Sequence, residues 1–191
     1  LEARLRPKGW PVMFQSWRDL LFLHWEYPVA AIQATLPEGL SVDTFGGRAY
    51  LGIVPFFMRE VRPRFLPALP GISNFLELNL RTYVYDQAGT PGVWFYSLDA
   101  NQRLAVEVAR RCFHLPYEQA EMKAGVTKEG RIRYESRRTG PRANGARCLF
   151  EYAPGQDLPV PATDSLEFFL VERYRLFSSA PDGLRRGAVL H

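Results

Sequence analysis

The chain has 191 residues, of which 47% are apolar and 14% aromatic, so it can build one sizeable core and its length favours a single domain over residues 1–191. Charged residues make up 23% of the chain, which excludes a disordered or collagen-like protein. The formal net charge is +4, but the arginines are scattered and lack the interleaved aromatic residues of a single-strand binder, so we expect no nucleic-acid partner.

Targeting signals are absent from the sequence. No apolar run approaches the ~20 residues of a membrane-spanning helix, and no signal-peptide pattern is present. We interpret Cys112 and Cys148 as small buried apolar residues in a reducing compartment rather than as a disulfide. We therefore expect a cytoplasmic protein without a membrane partner. Residues 1–11 are basic and punctuated by proline, which predicts an arm. The basic hairpin before His191 leads us to expect that one or both native termini are missing.

The first ordered segment is predicted to be a strand followed by a helix. Two-residue alternation over residues 14–25 is typical of a β-strand. Pro28 suits the first position of a helix, where no amide donor is needed, and an apolar stripe at helical spacing continues to Leu36. Pro37 and the glycine that soon follows it end this predicted helix.

A glycine pair then predicts a β-hairpin. Gly46 and Gly47 suit a two-residue turn, because glycine tolerates the positive φ that such turns require. We expect the turn to join strands over residues 40–45 and 48–58, the second of which is apolar on both faces and therefore buried on both. A proline-rich loop is predicted over residues 62–71.

Residues 74–85 have the clearest strand pattern in the chain. Leucine, threonine and valine occupy one face, and the other face carries Glu77, Asn79 and Arg81 between aromatic residues. A face of this kind either meets water or lines a polar cavity. Its aromatic residues argue against plain exposure, and the pattern alone leaves pocket and surface equally open.

The next predicted elements are a strand over residues 93–98, one helix and three more strands. Asp99 and Gln102 form a capping-box pattern that predicts the start of the helix. We expect its buried stripe at Leu104, Ala105, Val108, Ala109 and Cys112. The three strands are predicted over residues 115–122, 126–137 and 146–152.

The C-terminal part predicts a third helix and a final strand and turn over residues 175–191. Asp164 and Glu167 form a second capping-box pattern before this helix. In total we expect eight or nine strands and three helices of about three turns each. Neighbouring strands interrupted by isolated helices favour an α+β fold with a mainly antiparallel sheet that could close on itself.

Motifs with established chemistry are absent. The sequence has no phosphate-binding glycine loop, zinc-ligand spacing or nucleophile elbow, so we expect no cofactor and no metal site. His24 shares a predicted strand face with Leu20 and Phe22, and it is either a hydrogen-bonded core histidine or a catalytic group. The densest basic group lies at residues 131–147. We interpret it as a solvated strand face, with a contact for a protein partner as the alternative.

Five segments of the chain match one known pattern. They read HWEYPVAAIQATLPEGLSVDTFGGRAYLGIVPFFM, NFLELNLRTYV, GVWFYSLDA, LPYEQAEM and ERYRLF. Together they resemble the YqjF-like family of uncharacterised bacterial proteins from about Trp17 onward. That family is grouped with the acetoacetate decarboxylase-like fold. The resemblance implies a mainly antiparallel barrel- or cone-like sheet with a few flanking helices and a central pocket.

The resemblance also implies roles for individual residues. Arg18 matches an arginine in the first strand of the decarboxylases, and Glu77 matches their pocket glutamate. Their imine-forming lysine belongs to a lysine pair after a proline, and here Tyr117 and Glu118 follow Pro116 instead. Because an imine requires a primary amine, the resemblance implies a pocket without the decarboxylase reaction.

Two functions remain open at this point. The first is a protein that binds a small carboxylate or carbonyl compound, with candidate binding residues Arg18, His24, Asn79, Arg81, Tyr83, Trp94 and Tyr96. The second is an enzyme that acts on a keto or enol acid without an imine. In that case Glu77 would be the general acid or base, with its pKa raised by burial, and Tyr117 would assist it. A homo-oligomer is compatible with either function.

Overall fold

The computed structural model of the protein describes residues 10–140, 143 and 145–190. Most of the predicted N-terminal arm lies outside these ranges. Within them the chain forms eleven strands and three helices, in the order β1 (Met13–Arg18), β2 (Leu23–Tyr27), α1 (Val29–Gln33), β3 (Leu40–Val42), β4 (Ala49–Pro63), β5 (Phe75–Asp86), β6 (Pro91–Ala100), α2 (Arg103–Phe113), β7 (Tyr117–Val126), β8 (Ile132–Arg138), β9 (Arg147–Tyr152), α3 (Leu166–Val171), β10 (Arg175–Ala180) and β11 (Gly183–Ala188). No helix in this part of the chain has the length and apolar character needed to cross a membrane.

All the described strands belong to one sheet, whose continuous path is β1-β4-β5-β6-β7-β8-β9. Each of the three central strands has two partners in tandem along one edge: β1 and β2 on β4, β3 and β4 on β5, and β7 and β10 on β6. The pairings of β6 with β7 and β10 are parallel, and the others are antiparallel. The predicted α+β fold with a mainly antiparallel sheet is confirmed. Among the described strands β1 and β9 do not pair, so the sheet is open rather than closed.

Both faces of β5 are buried, so the sheet has an apolar core on each side. Leu76 and Leu78 pack into a cluster that includes side chains of β7, β8 and β9. Phe75 points to the opposite face, where it packs in a cluster with Val106 of α2. Glu77 shares this second face and is 4% exposed. The polar face of the predicted strand therefore lies inside the protein.

The predicted first strand is two strands. Asp19 has a φ of 53°, a left-handed conformation that interrupts the extended chain between β1 and β2. Both strands pair with the same edge of β4, β1 with its C-terminal half and β2 with its N-terminal half. The alternation of residue types over residues 14–25 continues across the break, so the pattern alone does not reveal the interruption.

The predicted hairpin turn is confirmed, but the pairing of its strands is wrong. Gly46 and Gly47 have φ values of 57° and 77°, and Phe45 forms an isolated bridge with Arg48. Beyond this bridge β3 pairs with β5. It cannot also pair with β4, because the two edges of β4 are occupied by β2 and β5.

The predicted start and buried stripe of α2 are wrong. Asp99 lies at the end of β6, where its carboxylate accepts hydrogen bonds from Arg138, and Gln102 is the N-cap residue. Val106 is the buried residue of the helix, while Leu104 and Val108 are 53% and 45% exposed. Cys112 is exposed as well, and Ala105 and Ala109 pack at the edge of the core. β6 continues to Ala100, and only two residues separate it from α2. Asp99, the predicted N-cap, is therefore part of the strand.

The remaining C-terminal elements agree with the prediction in part. β9 lies in its predicted range, but β7 extends to Val126 and β8 begins at Ile132, so residues 127–131, predicted inside the second strand, connect the two strands instead. β10 and β11 form a hairpin where one strand and a turn were predicted. The N-cap of α3 is Ser165 rather than Asp164, since the Ser165 hydroxyl accepts from the Phe168 amide. α1 and α3 have five and six residues and are shorter than the predicted three turns.

The arginine-rich face at residues 131–147 is ion-paired. Described ion pairs are Arg131–Glu151, Arg133–Glu135, Arg137–Glu121 and Arg138–Asp99. Arg142 lies outside the described residues. Because carboxylates balance much of the positive charge, the face fits a solvated sheet surface better than a contact for an acidic partner.

Candidate functional site

A buried carboxyl group lies at the centre of the molecule. Glu77 Oε2 accepts a hydrogen bond of 2.7 Å from the Tyr117 hydroxyl, which β7 contributes from its first residue. The strand register sets Glu77 between Phe56 of β4 and Ala100 of β6. Three strands and α2 therefore enclose one carboxyl in an apolar environment.

Burial makes the Glu77 carboxyl a weaker acid than an ordinary glutamate. It raises the pKa of Glu77 to about 7, and the hydrogen bond from Tyr117 opposes the shift only in part. Burial also raises the pKa of Tyr117 well above its ordinary value, so the phenol stays protonated and acts as the donor. Glu77 can thus exist in either protonation state near neutral pH, which is the property of a general acid or base.

Two further side chains on this face have a polar atom without a hydrogen-bond partner among the described residues. Asn79 and Arg81 follow Glu77 along β5, and Asn79 is 5% exposed. Asn79 Oδ1, an acceptor, and Arg81 Nε, a donor, are buried and have no hydrogen-bond partner among the described residues. Each such atom costs about 1–3 kcal/mol when it stays unpaired. A donor and an acceptor left open on neighbouring residues of one face are suited to a small polar ligand.

Beyond Arg81, the face is occupied by a hydrogen-bonded group that α3 covers. The Tyr83 hydroxyl donates to the Leu170 carbonyl at 3.0 Å, and Arg81 Nη2 donates to the same carbonyl and to the Tyr83 oxygen at 3.2 Å each. Burial raises the pKa of Tyr83, so it too remains a phenol. These bonds fix the C-terminal end of α3 over β5.

His24 joins this group from β2. Its Nε2 lies 2.6 Å from the Tyr83 oxygen. Since the single phenolic hydrogen is given to Leu170, His24 Nε2 is the donor in this bond, which assigns the Nε2–H tautomer. Burial, with the nearby Arg81 guanidinium as the second cause, lowers the pKa of His24 to about 4. His24 is therefore a neutral, partly buried residue that is hydrogen-bonded to Tyr83.

Three residues of this region have no role in the sequence-based prediction. The Tyr134 hydroxyl donates to the Glu77 backbone carbonyl at 2.8 Å. Arg173 forms an ion pair of 2.7 Å with Asp43 and lies 5.3 Å from the centre of the Tyr83 ring. Both come from distant parts of the chain, and no local pattern connects them with β5.

Gly52 is the third residue, and its position within the strand is a signal that sequence reasoning could have used. A Cβ at Gly52 would lie 3.0 Å from the His24 ring and 3.5 Å from Arg81 Cγ. The missing side chain allows the imidazole and the guanidinium to approach across β4. A glycine inside an otherwise apolar strand indicates such a close approach.

The other candidate residues lie away from the face that carries Glu77, Asn79 and Arg81. Arg18 is exposed, and it pairs in register with Phe57, which belongs to the cluster on the opposite face of the sheet from Glu77. Trp94 and Tyr96 line a separate cleft beside β10. The structure thus brings Glu77, Tyr117, Asn79, Arg81, Tyr83 and His24 onto one face and leaves Arg18, Trp94 and Tyr96 elsewhere. No group of three or more His, Cys, Asp or Glu residues in the described ranges is placed to hold a metal ion.

Residues 14–191 match a family, DUF2071, that is described as an uncharacterized conserved protein. The chain belongs to this family. It is also 43% identical over 176 residues to the uncharacterized protein YqjF of Bacillus subtilis (strain 168), which covers 91% of this chain and 70% of YqjF. The family match and this relative each cover most of the chain, so the resemblance stated above is confirmed.

Solved structures with the same fold include acetoacetate decarboxylase from Legionella pneumophila. It superimposes with a TM-score of 0.60 at 15% identity, over 96% of this chain and 70% of that one. The enduracididine biosynthesis enzyme MppR complexed with pyruvate gives a TM-score of 0.55 at 14% identity, over 91% of this chain and 67% of that one. These similarities establish the fold of this family member as acetoacetate decarboxylase-like.

Proposed function

We propose that the protein binds a small carboxylate or carbonyl compound through the polar row of β5, defined as Glu77, Asn79 and Arg81, without forming an imine. The observation that carries the proposal is the pair of buried atoms that lack a partner in the described structure, Asn79 Oδ1 and Arg81 Nε. A guanidinium is a strong donor to a carboxylate or carbonyl oxygen. The Asn79 oxygen accepts from a hydroxyl, and protonated Glu77 can donate.

The fold supports keto acids as the first compounds to test. MppR, a structural neighbour, was solved with pyruvate, and another neighbour is an acetoacetate decarboxylase. The residues near Glu77 support binding without covalent chemistry. Tyr117 and Glu118 occupy the positions after Pro116, and the described lysines, Lys123 and Lys128, are both exposed. Formation of an imine needs a primary amine, which neither a phenol nor a carboxyl supplies.

Titration calorimetry with pyruvate and acetoacetate tests the proposal. We expect binding to the wild-type protein and a loss of at least about tenfold in affinity for Arg81→Gln, since a hydrogen bond to a charged group contributes about 1.5–3 kcal/mol. Asn79→Leu should abolish binding and at the same time stabilise the fold, because it removes a buried acceptor that has no partner.

Asn101 provides a matched control. Its Oδ1 accepts from the Leu76 amide at 2.8 Å, so Asn101→Leu should destabilise the fold and leave binding unchanged. Weaker stability in Asn79→Leu, together with unchanged affinity, would contradict the proposal. Treatment with borohydride in the presence of pyruvate should add no mass to the protein, and a trapped adduct would show that an imine forms after all.

An enzymatic function of the same row is the second candidate, and the pKa of about 7 at Glu77 favours it. In this reaction the Glu77 carboxylate takes a proton from the carbon next to the carbonyl of a keto acid, the electron pair moves to the carbonyl oxygen, and Arg81 stabilises the resulting enolate. The acid then returns a proton to the same carbon. The net result in heavy water is exchange of that hydrogen for deuterium.

Proton NMR in heavy water measures this exchange directly. We expect Glu77→Gln to slow the exchange by at least about a hundredfold, the ordinary contribution of a general base. The Tyr117 hydrogen bond lowers the pKa of Glu77, so Tyr117→Phe should move the midpoint of the pH–rate profile upward. Exchange at the wild-type rate in Glu77→Gln would exclude the enzymatic role and leave the binding role untouched.

A further inference from the structure

The far edge of β6 contains a gap between its two parallel partners. β10 pairs with Val93 and Trp94, and β7 pairs with residues 98–100. Phe95, Tyr96 and Ser97 therefore have no partner strand on that edge among the described residues. On the other edge the register with β5 shifts at the same place, where Tyr96 is skipped. Strands that diverge from a common neighbour open a crevice, which is a frequent place for ligand sites.

A cleft of about 530 Å³ occupies this gap. Trp94, Phe95 and Tyr96 of β6 line one wall, and Phe177 of β10 and Leu115 contribute further apolar surface. A volume of this size, with both aromatic and polar side chains in its lining, is typical of sites for small organic ligands. None of the residues of the Glu77 row lines the cleft, so it is separate from the site described above.

A hydrogen-bond chain fixes the Tyr96 ring at the cleft. The Thr35 hydroxyl donates to the Ile32 carbonyl at 2.7 Å, so in its bond of 2.6 Å with Tyr96 it must accept the phenolic hydrogen. Thr35, which also lines the cleft, therefore holds the Tyr96 ring in one orientation. A preorganised aromatic wall loses little entropy when a flat ligand packs against it.

The polar side chains that line the cleft include hydrogen-bond donors, and none of them is acidic. Arg110 donates through Nε to the Tyr117 carbonyl and through Nη2 to Glu118, while its Nη1 donates to no described group. His114, in the left-handed conformation at the C-cap of α2, is the second nitrogen-bearing side chain. The lining contains no aspartate or glutamate, and Arg110, although paired with Glu118 behind the cleft, keeps Nη1 for a ligand, so the cleft favours a ligand with a negative charge.

We propose that this cleft is a second ligand site, which takes a small aromatic anion with its ring on the β6 wall and its charged group at Arg110 and His114. Naphthalene-1-carboxylate is a suitable probe, and titration calorimetry with the full 191-residue protein measures its affinity. The neutral analogue 1-naphthalenemethanol should bind at least about tenfold more weakly, because it lacks the charge that Arg110 recognises.

Two variants locate the binding. Arg110→Gln should weaken binding of the probe at least about tenfold, whereas Arg111→Gln, on the next residue of the helix and paired with Glu107, should not. Arg110→Gln also removes the ion pair with buried Glu118, so thermal unfolding must show that the variant is folded. His114→Asn provides an independent route, because asparagine tolerates the left-handed C-cap, and it should weaken binding several-fold.

Glu77→Gln separates this site from the one in the proposed function. It should leave the affinity for naphthalene-1-carboxylate unchanged, whichever result the keto acids give. The proposal is overturned if the wild-type protein shows no binding at millimolar probe. It is equally overturned if Arg110→Gln and His114→Asn, both folded, bind as the wild type does, or if Glu77→Gln abolishes binding.

Discussion

At the scale of single residues, the protonation of Glu77 links the site to the stability of the fold. The carboxyl is buried between strands, and its described hydrogen-bond partner is the hydroxyl of Tyr117. In the unfolded chain the same group has a pKa of about 4.5, whereas in the folded protein it is about 7. A group of this kind favours the folded state at low pH and opposes it once the carboxyl must ionise inside the protein.

We therefore predict that Glu77 makes the free energy of unfolding fall as the pH rises from about 4.5 to about 7. The difference in pKa corresponds to about 3 kcal/mol over this range. Glu77→Gln should remove this dependence, because the amide does not titrate. Urea unfolding of both proteins at several pH values gives the comparison.

Glu121→Gln is the control for that experiment. Glu121 is exposed and paired with Arg137, so its substitution should leave the slope of stability against pH nearly unchanged. If the wild type and Glu77→Gln show parallel curves between pH 4.5 and 7, the carboxyl of Glu77 is not raised in pKa.

His24 gives a second prediction at this scale. Nitrogen NMR should show a neutral ring with its proton on Nε2 at pH 6, and protonation with a midpoint of about 4. Burial is the larger cause of the shift and Arg81 the smaller. Arg81→Gln should therefore raise the midpoint without restoring the ordinary value. A neutral ring with the proton on Nδ1 would contradict the assigned direction of the bond to Tyr83.

At the scale of elements, α3 is attached to β5 mainly through one buried tyrosine. Tyr83 is fully buried, and its hydroxyl donates to Leu170 in the last turn of α3. Phe169 packs 5.2 Å from the Tyr83 ring, and Arg173 lies over both rings. The helix has only six residues, so its stability depends on this packing rather than on its own hydrogen bonds.

We predict that Tyr83→Phe destabilises the protein by about 1–3 kcal/mol, because it leaves the His24 Nε2 donor without its acceptor and removes the Tyr83 bond to Leu170, while Arg81 Nη2 keeps its bond to the Leu170 carbonyl. Hydrogen exchange should increase most in α3. Tyr85→Phe, two residues along the strand and 40% exposed, should change stability by less than about 0.5 kcal/mol. Equal effects of the two substitutions would show that the Tyr83 hydroxyl does not hold the helix.

Strand positions in this chain could be predicted from its sequence, and several partners could not. The alternation over residues 74–85 correctly assigns β5 and sets Glu77, Asn79 and Arg81 on one face. It does not determine what covers that face, because α2 and α3 come from later parts of the chain. The capping pattern at Asp99 fails for a similar reason: β6 continues to Ala100, and Arg138, 39 residues away, binds the carboxylate.

The separation of the candidate residues was equally hidden from sequence reasoning. Trp94 and Tyr96 belong to the same strand as the partners of Glu77 and Asn79. Their side chains nevertheless line another cleft, because the register shift at Tyr96 redirects this part of β6. Arg18 lies on the opposite face because β1 pairs with β4 in a register that only the tertiary structure determines.

At the scale of the whole molecule, the reactivity of the two cysteines can show whether the sheet opens at β9. Cys112 is exposed on α2, whereas Cys148 is half-buried on β9, and burial raises the pKa of its thiol. The reactive form of a thiol is the thiolate, so Cys148 should be the less reactive of the two.

We predict that a thiol reagent such as 5,5′-dithiobis(2-nitrobenzoate) modifies Cys112 at least about tenfold faster than Cys148 in the folded protein, since Cys112 is exposed and burial raises the pKa of the Cys148 thiol. In urea the two rates should become similar. Cys112→Ser leaves a single slow phase, which assigns the reactions. A fast phase in that variant would mean that β9 opens readily from β8.

The three strands β7, β8 and β9 are joined to the rest of the sheet by a short seam. β7 pairs with β6 over only three residues, and the first of them, Tyr117, is the donor to Glu77. A small displacement along this seam would lengthen that hydrogen bond before it disturbs either antiparallel half of the sheet. Loss of the bond raises the pKa of Glu77, so the position of three strands adjusts a proton affinity that burial mainly determines. By reciprocity, binding a proton at Glu77 lowers the free energy needed to separate the seam.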